Sequence, residues 1–482
     1  MSVLVVDAGT SGVRAAVVAD DGRVLGAVHR EVLPESPAQG FVQFDAGVLG
    51  AAALEVARGA LATNGPVDAV GIANQRASTV LWDRATGEPV GPGIGWQDLR
   101  TAGLCLMLRA DGIRLAPNQS ATKLVVLLDM ADPQRTADLC FGTVDSYLAF
   151  LLSGGRLHVT DHTNAGVTGL VTPDATSWDL ELCARLNIPA AVLPRIVDSC
   201  GPIGEAAALP GAPVLAGIAG DQQASLVGQG CLSIGEAKAT FGTGGMLDSP
   251  VGTVRPSFEQ RGGAGTFPIV AWSDSGGVTY GVEAVMLSAG SCIEWLRDDL
   301  GLLPSATASE AMASSVPDAD GVVFVPALLG LGTPEWDFGA RGTLLGLTRG
   351  TTAAHVVRAV LEGVAHRGAD LLEAVEADAG VRVDTLKVDG GMSANGVFVQ
   401  VLADAVQRPV AVAAVTEATT LGAAFLAGTG AGVWRSLREA AGLVAPRRVV
   451  EPRSGRHMDR ARWREARSRA GHWVEELSAL DF

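Results

Sequence analysis

The chain opens with an apolar run at residues 3–6 that stops at Asp7, Ala8, Gly9, Thr10, Ser11 and Gly12 before a second apolar run begins at Val13. Short apolar runs bounded by glycine turns read as buried strands. A D-G turn at Asp21-Gly22 leads into a third strand, 23–32, so the segment is a meander. Its first turn has the size and donors of a phosphate loop. Gly9 and Gly12 let backbone N–H groups approach an anion with no Cβ in the way, and Thr10 and Ser11 add hydroxyls. Asp7 at the strand end can hold a hydrated Mg2+ ion, and Arg14 follows on the outgoing strand. Taken alone, such a loop also reads as an ordinary hairpin turn.

The arrangement returns in the second half. An apolar stretch ending at Phe241 leads into Gly242, Thr243, Gly244 and Gly245, and Met246 starts the next apolar segment. Two strand-and-glycine hairpins so far apart imply paired domains facing one another across a cleft. A third glycine turn, 389–395, follows a strand at 385–388 and precedes a helix at 397–406. Its N–H groups, including those of Gly391 and Asn395, therefore lie at a helix start, where a phosphate is favoured.

With 482 residues, 48% of them hydrophobic, the chain can bury large cores in two or three domains. Its 52 carboxylates against 36 Lys and Arg give a net charge of −16, which repels nucleic acid. Basic residues concentrate only in 447–469, Arg456 among them, where Glu451, Asp459 and Glu465 interrupt them; this reads as a solvated helical face. Six cysteines without C-x-x-C spacing read as buried, reduced thiols of a cytoplasmic protein. No uncharged apolar span of about 18 residues occurs, so membrane insertion is not expected. His158 and His162 flank Asp161, but the loop-like polar segment around them argues against zinc.

A first domain is expected over 1–240, a second over 241–435 and a helical tail over 436–482. In the first, 50–61 reads as a helix, 67–72 as a strand ending at Asn74-Gln75-Arg76, and 78–82 as another strand. Helices are expected at 122–131, 141–152 and 179–186, and 202–213 reads as a surface connection. A strand at 214–218 turns at Ala219-Gly220 into Asp221-Gln222-Gln223 and a short helix. The second domain is expected to carry helices at 284–300, 354–377 and 421–427.

Phosphoryl transfer from ATP needs a magnesium site, donors around the moving phosphate and an acceptor for the hydroxyl proton. Asp7, the two glycine hairpins and Asp221 can supply these. Asp221 at a sheet's ligand edge reads either as general base or as the cap of the helix it precedes. Arg76 and Gln222 can bond other hydroxyls, while Trp96 offers a ring face and an indole N–H to a polyol or simply packs.

These motifs together resemble the FGGY carbohydrate kinases. The matching stretches are Gly71-Ile72-Ala73-Asn74-Gln75-Arg76, Trp96-Gln97-Asp98-Leu99-Arg100-Thr101, Ser120-Ala121-Thr122-Lys123, Gly220-Asp221-Gln222-Gln223-Ala224, Phe241-Gly242-Thr243-Gly244 and Asp389-Gly390-Gly391-Met392. The resemblance runs from Val3 to about Trp434. It implies an α/β, actin-like ATPase fold: two ribonuclease-H-like domains closing on ATP with Mg2+ and on a small polyol or sugar. It also implies Asp7 near the metal, Ser11 and Arg14 in the phosphate loop, Asp221 as base, and Thr243, Gly290, Glu294, Gly391 and Asn395 around the nucleotide. Within the family, the branch acting on glycerol is the nearest match. Where that branch has a glutamate, a tyrosine and an aromatic residue in the substrate pocket, this chain has Ala77, Asn118 and Met246. The replacements leave more room, so a four- or five-carbon polyol or ketose is expected over glycerol. A homodimer and a homotetramer both stay open as assemblies. The competing class is a nucleotide-dependent sensor without catalysis, which need not keep Asp221, Arg76 and Trp96 together.

Overall fold

The computed structural model describes residues 1–258, 260–414, 418–455 and 458–479; Arg456 and His457 lie outside them. Two mixed sheets, one in each half of the chain, organise the molecule. The first contains β1 (Ser2–Ala8), β2 (Gly12–Ala19), β3 (Val24–Glu31), β4 (Ala69–Asn74), β5 (Cys200–Glu205) and β6 (Val214–Gly220), in the spatial order β3-β2-β1-β4-β6-β5. The second contains β7 (Ala237–Phe241), β8 (Gly245–Gly252), β9 (Phe267–Asp274), β10 (Gly277–Met286), β11 (Leu386–Asp389), β12 (Val410–Val412) and β13 (Arg448–Val450), in the order β9-β10-β8-β7-β11-β12-β13. From β3 to β5 and from β10 to β13 the pairings run alike: antiparallel, antiparallel, parallel, parallel, antiparallel. The echo of the two glycine hairpins is thus a repeat of whole sheets.

The helices that position the site are α1 (Ala46–Asn64), α2 (Asp221–Gly228), α3 (Ser291–Asp298), α4 (Ala353–Ala379), α5 (Gly396–Val406), α6 (Ala418–Gly430) and α7 (Arg460–Ala470). Both faces of β1 are covered, which is why its sequence is apolar without alternation. Leu4, Val6 and Ala8 share a core with Leu49, Ala53 and Val56 of α1, whereas Val3 and Val5 share one with Leu421 and Phe425 of α6. Asp45 caps α1 by accepting from the Val48 N–H, and Gly65 ends it at φ 85°. Helix α1 is long and apolar enough by composition to cross a membrane, but here it is a core helix of the first sheet.

Helix α6 comes from the second half yet lies on the first sheet and across α2. Glycines make that approach possible: a Cβ on Gly422 would meet the Ala224 carbonyl oxygen at 1.7 Å, and one on Gly228 the Ala418 oxygen at 2.0 Å. Gly71 of β4 and Gly217 of β6 likewise face α6 backbone, each at 2.5 Å.

Several expected elements differ. Residues 139–143 are a strand, Phe141 pairing with Leu81, so that helix begins only at Val144. The expected helix at 284–300 is β10 as far as Met286, held in register between β8 and β9, then a turn and the short α3. The surface connection at 202–213 starts inside β5, an edge strand that tolerates Pro202. Thr160 and Asp161 belong to a short buried strand, Val159–Asp161, not to a loop. The tail is not purely helical, since β13 completes the second sheet before α7. All six cysteines are free and buried.

Candidate active site

The carboxyl ends of the parallel strands bring the predicted residues together. Ala8, Asn74 and Gly220 form one row across β1, β4 and β6, so Asp7, Arg76 and Asp221 emerge side by side. In the second sheet Thr240 lies opposite Asp389, which sets the Gly242 and Gly391 loops next to one another. The 288–291 turn joins them: Ala289 N–H donates to the Thr243 oxygen at 2.9 Å and Gly290 N–H to the Gly242 oxygen at 2.8 Å.

Asp221 is the first residue of α2, preceded by Gly220. Its Oδ1 accepts from the Gln222 N–H at 2.8 Å and stands 3.7 Å from Arg76 Nε. Burial pushes its pKa above the usual carboxylate range despite the Arg76 charge. Asp7 is raised to about 7, by burial first and then by the charge of Asp221, with Arg14 opposing. Arg14 is the cross-strand partner of Asp7 in the β1–β2 ladder. The two carboxylates therefore sense each other across the site.

Arg76 is clamped from the other half of the chain. Its Nη1 and Nη2 contact Glu283 of β10 at 2.8 and 3.0 Å, and Glu283 is 2% exposed. Burial works against the Arg76 cation; Glu283 and Asp221 outweigh it and hold its pKa above the ordinary value. Beside this pair, Lys238 of β7 contacts Asp248 of β8 at 2.7 Å, both side chains 0% exposed. Lys238 Nζ also donates to Gln222 Oε1 at 2.6 Å and to Thr240 Oγ1 at 3.0 Å. Burial lifts Asp248 to about 7, and Lys238 only partly offsets it.

The remaining predicted residues line the same region. Ala77 is the centre of a three-residue turn, with Ser78 N–H donating to the Arg76 oxygen at 2.8 Å, and it adopts φ 60°. Such a turn is strained for a residue with a Cβ, and strain of this kind gathers at functional sites. The buried Lys123 ammonium holds the carbonyls of both Ala77 and Asn118, at 3.3 and 3.0 Å. Trp96 directs its indole N–H to Thr10 Oγ1 at 3.2 Å, so that donor ties the pocket wall to the phosphate loop. Met246 is half-buried at the start of β8, and Ser11 is exposed at the loop tip. Glu294 is exposed in the first turn of α3. Asn395 caps α5, accepting from the Phe398 N–H at 3.0 Å and donating to Ser309 Oγ at 3.1 Å.

Glu283, Lys238 and Asp248 were missed in the sequence. The available signal was a charge inside an apolar strand, and the reading of 284–300 as helix obscured it at Glu283. The glycine loops fit an approaching phosphate chain. A Cβ on Gly9 or Gly242 would have its nearest neighbour at 3.7 or 4.0 Å, and one on Gly391 would meet nothing within 4 Å.

Two sheets of this order, with buried carboxylates at the strand ends of the first and glycine loops at those of the second, make the actin-like ATPase fold, and the family match makes the chain an ATP-dependent carbohydrate kinase. The chain belongs to the FGGY family of carbohydrate kinases, its N-terminal domain matching residues 2–228 and its C-terminal domain residues 237–431. It is 44% identical to a glycerol kinase of Dechloromonas aromatica over 98% of both chains. Among solved structures it resembles Plasmodium falciparum glycerol kinase with ADP (26% identity, TM-score 0.87, covering 100% of this chain and 99% of that one). It also resembles a "xyloylose kinase" of Brucella ovis (25% identity, TM-score 0.85, covering 100% of both).

Proposed function

We propose that the enzyme transfers the γ-phosphoryl group of ATP to a hydroxyl of a small polyol or ketose, with Asp221 as general base. The observation that carries this is the convergence of Asp7, Arg76 and Asp221 at the strand ends of the first sheet, with the α2 residues Gln222 and Ser225 hydrogen-bonded to Lys238 and Asp389 of the second. The half built on the first sheet holds the polyol and the half built on the second sheet the nucleotide; β7 (Ala237–Phe241) lies in the second sheet, so the division falls before residue 237 and not at 240. Asp7 holds Mg2+, with Thr10, Ser11 and Arg14 beside the phosphates and Gly242, Thr243, Gly290, Glu294, Gly391 and Asn395 on the nucleotide side. When bound, the metal supplies charge neutralisation at the phosphate oxygens. Asp221, whose affinity for a proton is raised by burial, accepts the hydroxyl proton as the bond to phosphorus forms. Arg76 and Gln222 orient the remaining hydroxyls. A cytoplasmic location and a homodimeric or homotetrameric assembly accompany this reading.

Four- or five-carbon substrates are preferred to glycerol, because Ala77, Asn118 and Met246 put smaller or open groups around the pocket. The names of the relatives favour glycerol itself. A panel of C3 to C6 polyols, ketoses and sugar acids, read by ADP release and product mass, tests the activity, and no substrate-dependent ADP from folded protein would refute it. The ratio of kcat/KM values decides chain length. A glycerol value exceeding all the others by about tenfold, or about 1.4 kcal/mol of transition-state preference, would make the enzyme a glycerol kinase.

A further inference from the structure

The second sheet contributes three buried charged side chains, Lys238, Asp248 and Glu283, to the region of Arg76 and Gln222, and one of them bears on how a substrate contact is presented. Lys238 projects from β7 with its side chain 0% exposed. Its ammonium group contacts Asp248 Oδ2 at 2.7 Å, Thr240 Oγ1 at 3.0 Å and Gln222 Oε1 at 2.6 Å. An ammonium group has three protons to donate and no lone pair to accept. The end of the Gln222 amide that faces it must therefore be oxygen. The amide cannot turn over without setting its NH2 protons against a buried cation.

Gln222 is itself only partly buried, beside Asp221 at the head of α2, so the NH2 end is left for the cleft. Asp248 fixes the other side of the Lys238 ammonium by its 2.7 Å contact, so the group has a partner on each side within the buried site. We propose that Lys238 is a positioning residue that locks Gln222 as a hydrogen-bond donor, so that the substrate must offer an oxygen lone pair at this point. Asp248 acts one step further out, as the contact partner of Lys238 at 2.7 Å. The inference rests on the reading of Gln222 as a substrate contact.

The test uses full-length enzyme and the best substrate from the polyol and ketose panel. Lys238→Met removes the lock but leaves buried Asp248 without its ion-pair partner and beside the Glu283 carboxylate, so a second variant, Lys238→Gln/Asp248→Asn, removes both charges while keeping polar groups at both positions. A glutamine at 238 can present either end of its amide and so releases Gln222. In the folded variants, KM for the polyol should rise about tenfold or more, the loss of one well-oriented hydrogen bond. KM for ATP should stay within about twofold and kcat within about threefold of wild type. A polyol KM unchanged in the neutral-pair variant overturns the inference, and so does a parallel rise in the KM for ATP, which would mark a general structural role. Wild-type enzyme with no activity on any member of the panel would instead defeat the functional reading on which the inference stands.

Discussion

At the residue scale the central point is that Asp221 opens its helix without capping it. It occupies the first turn of α2, where a carboxylate is favoured by the helix N-terminus, yet Gly220 holds the cap position and the Asp221 side chain faces Arg76. The proposed role as proton acceptor predicts that Asp221→Asn loses about 10²- to 10⁴-fold in turnover. Nucleotide affinity and thermal stability should be little changed, and a variant within threefold of wild-type kcat would remove Asp221 from the base role. Arg76, Trp96 and Gln222 were legible in the sequence because they follow strand ends or glycine loops. Glu283, Lys238 and Asp248 were not, because nothing local distinguishes a buried clamp from a charge on the solvent face of a strand.

Among the elements, α7 shows how a surface-looking sequence can be docked. Its arginines read as a solvated face, but Arg460 and Arg467 reach Asp370 of α4 at 2.6 and 2.7 Å, and Trp463 is completely buried. Trp463 stacks on His366 with ring centroids 4.9 Å apart and planes 3° from parallel. Burial, aided by the Arg460 charge, lowers the pKa of His366 to about 3, against weaker opposing pulls from Asp370 and Asp459. Folded His366 thus stays neutral where the unfolded chain would take up a proton. Its contribution to stability is complete above the unfolded value near 6.5 and is lost as the pH falls from there toward 3. Asp7 and Asp248, raised to about 7, act in the opposite direction over the same range, so the His366 effect is read as a difference between variants. The stability advantage of wild type over His366→Gln, measured by urea denaturation, should shrink between pH 7 and 4 by up to about 1.4 kcal/mol per pH unit, and an advantage that does not change with pH would show that His366 does not titrate in this way.

For the whole molecule, the decisive feature is the α2–α6 crossing. The two helices come from different halves, and their backbones touch at Gly422 and Gly228 with no room for a methyl group. Gly422→Ala must separate them or distort one, because the obstacle is a backbone carbonyl and not a movable side chain. A destabilisation of about 2 kcal/mol or more is expected, in the range of other forced overpacking. Because α6 also covers β4 and β6, the loss should appear as one shifted unfolding transition spanning both halves. Two separate transitions, with only the second half affected, would contradict that.

Local residue order is enough to place the loops and the strand ends that carry them, because a phosphate-sized turn needs glycine and hydroxyl residues in succession and a doubly covered strand needs an unbroken apolar run. Paired domains and the strand-end positions of Asp7, Arg76 and Asp221 are legible from these, and the family resemblance supplies the fold. The packing of the folded chain settles that α6 belongs on the opposite half's sheet, that β13 in the expected helical tail completes the second sheet, and that buried Glu283 and Lys238 of one half contact Arg76 and Gln222 of the other. Those are relations between segments up to hundreds of residues apart. They depend on which faces become buried together, and neither local spacing nor composition records that.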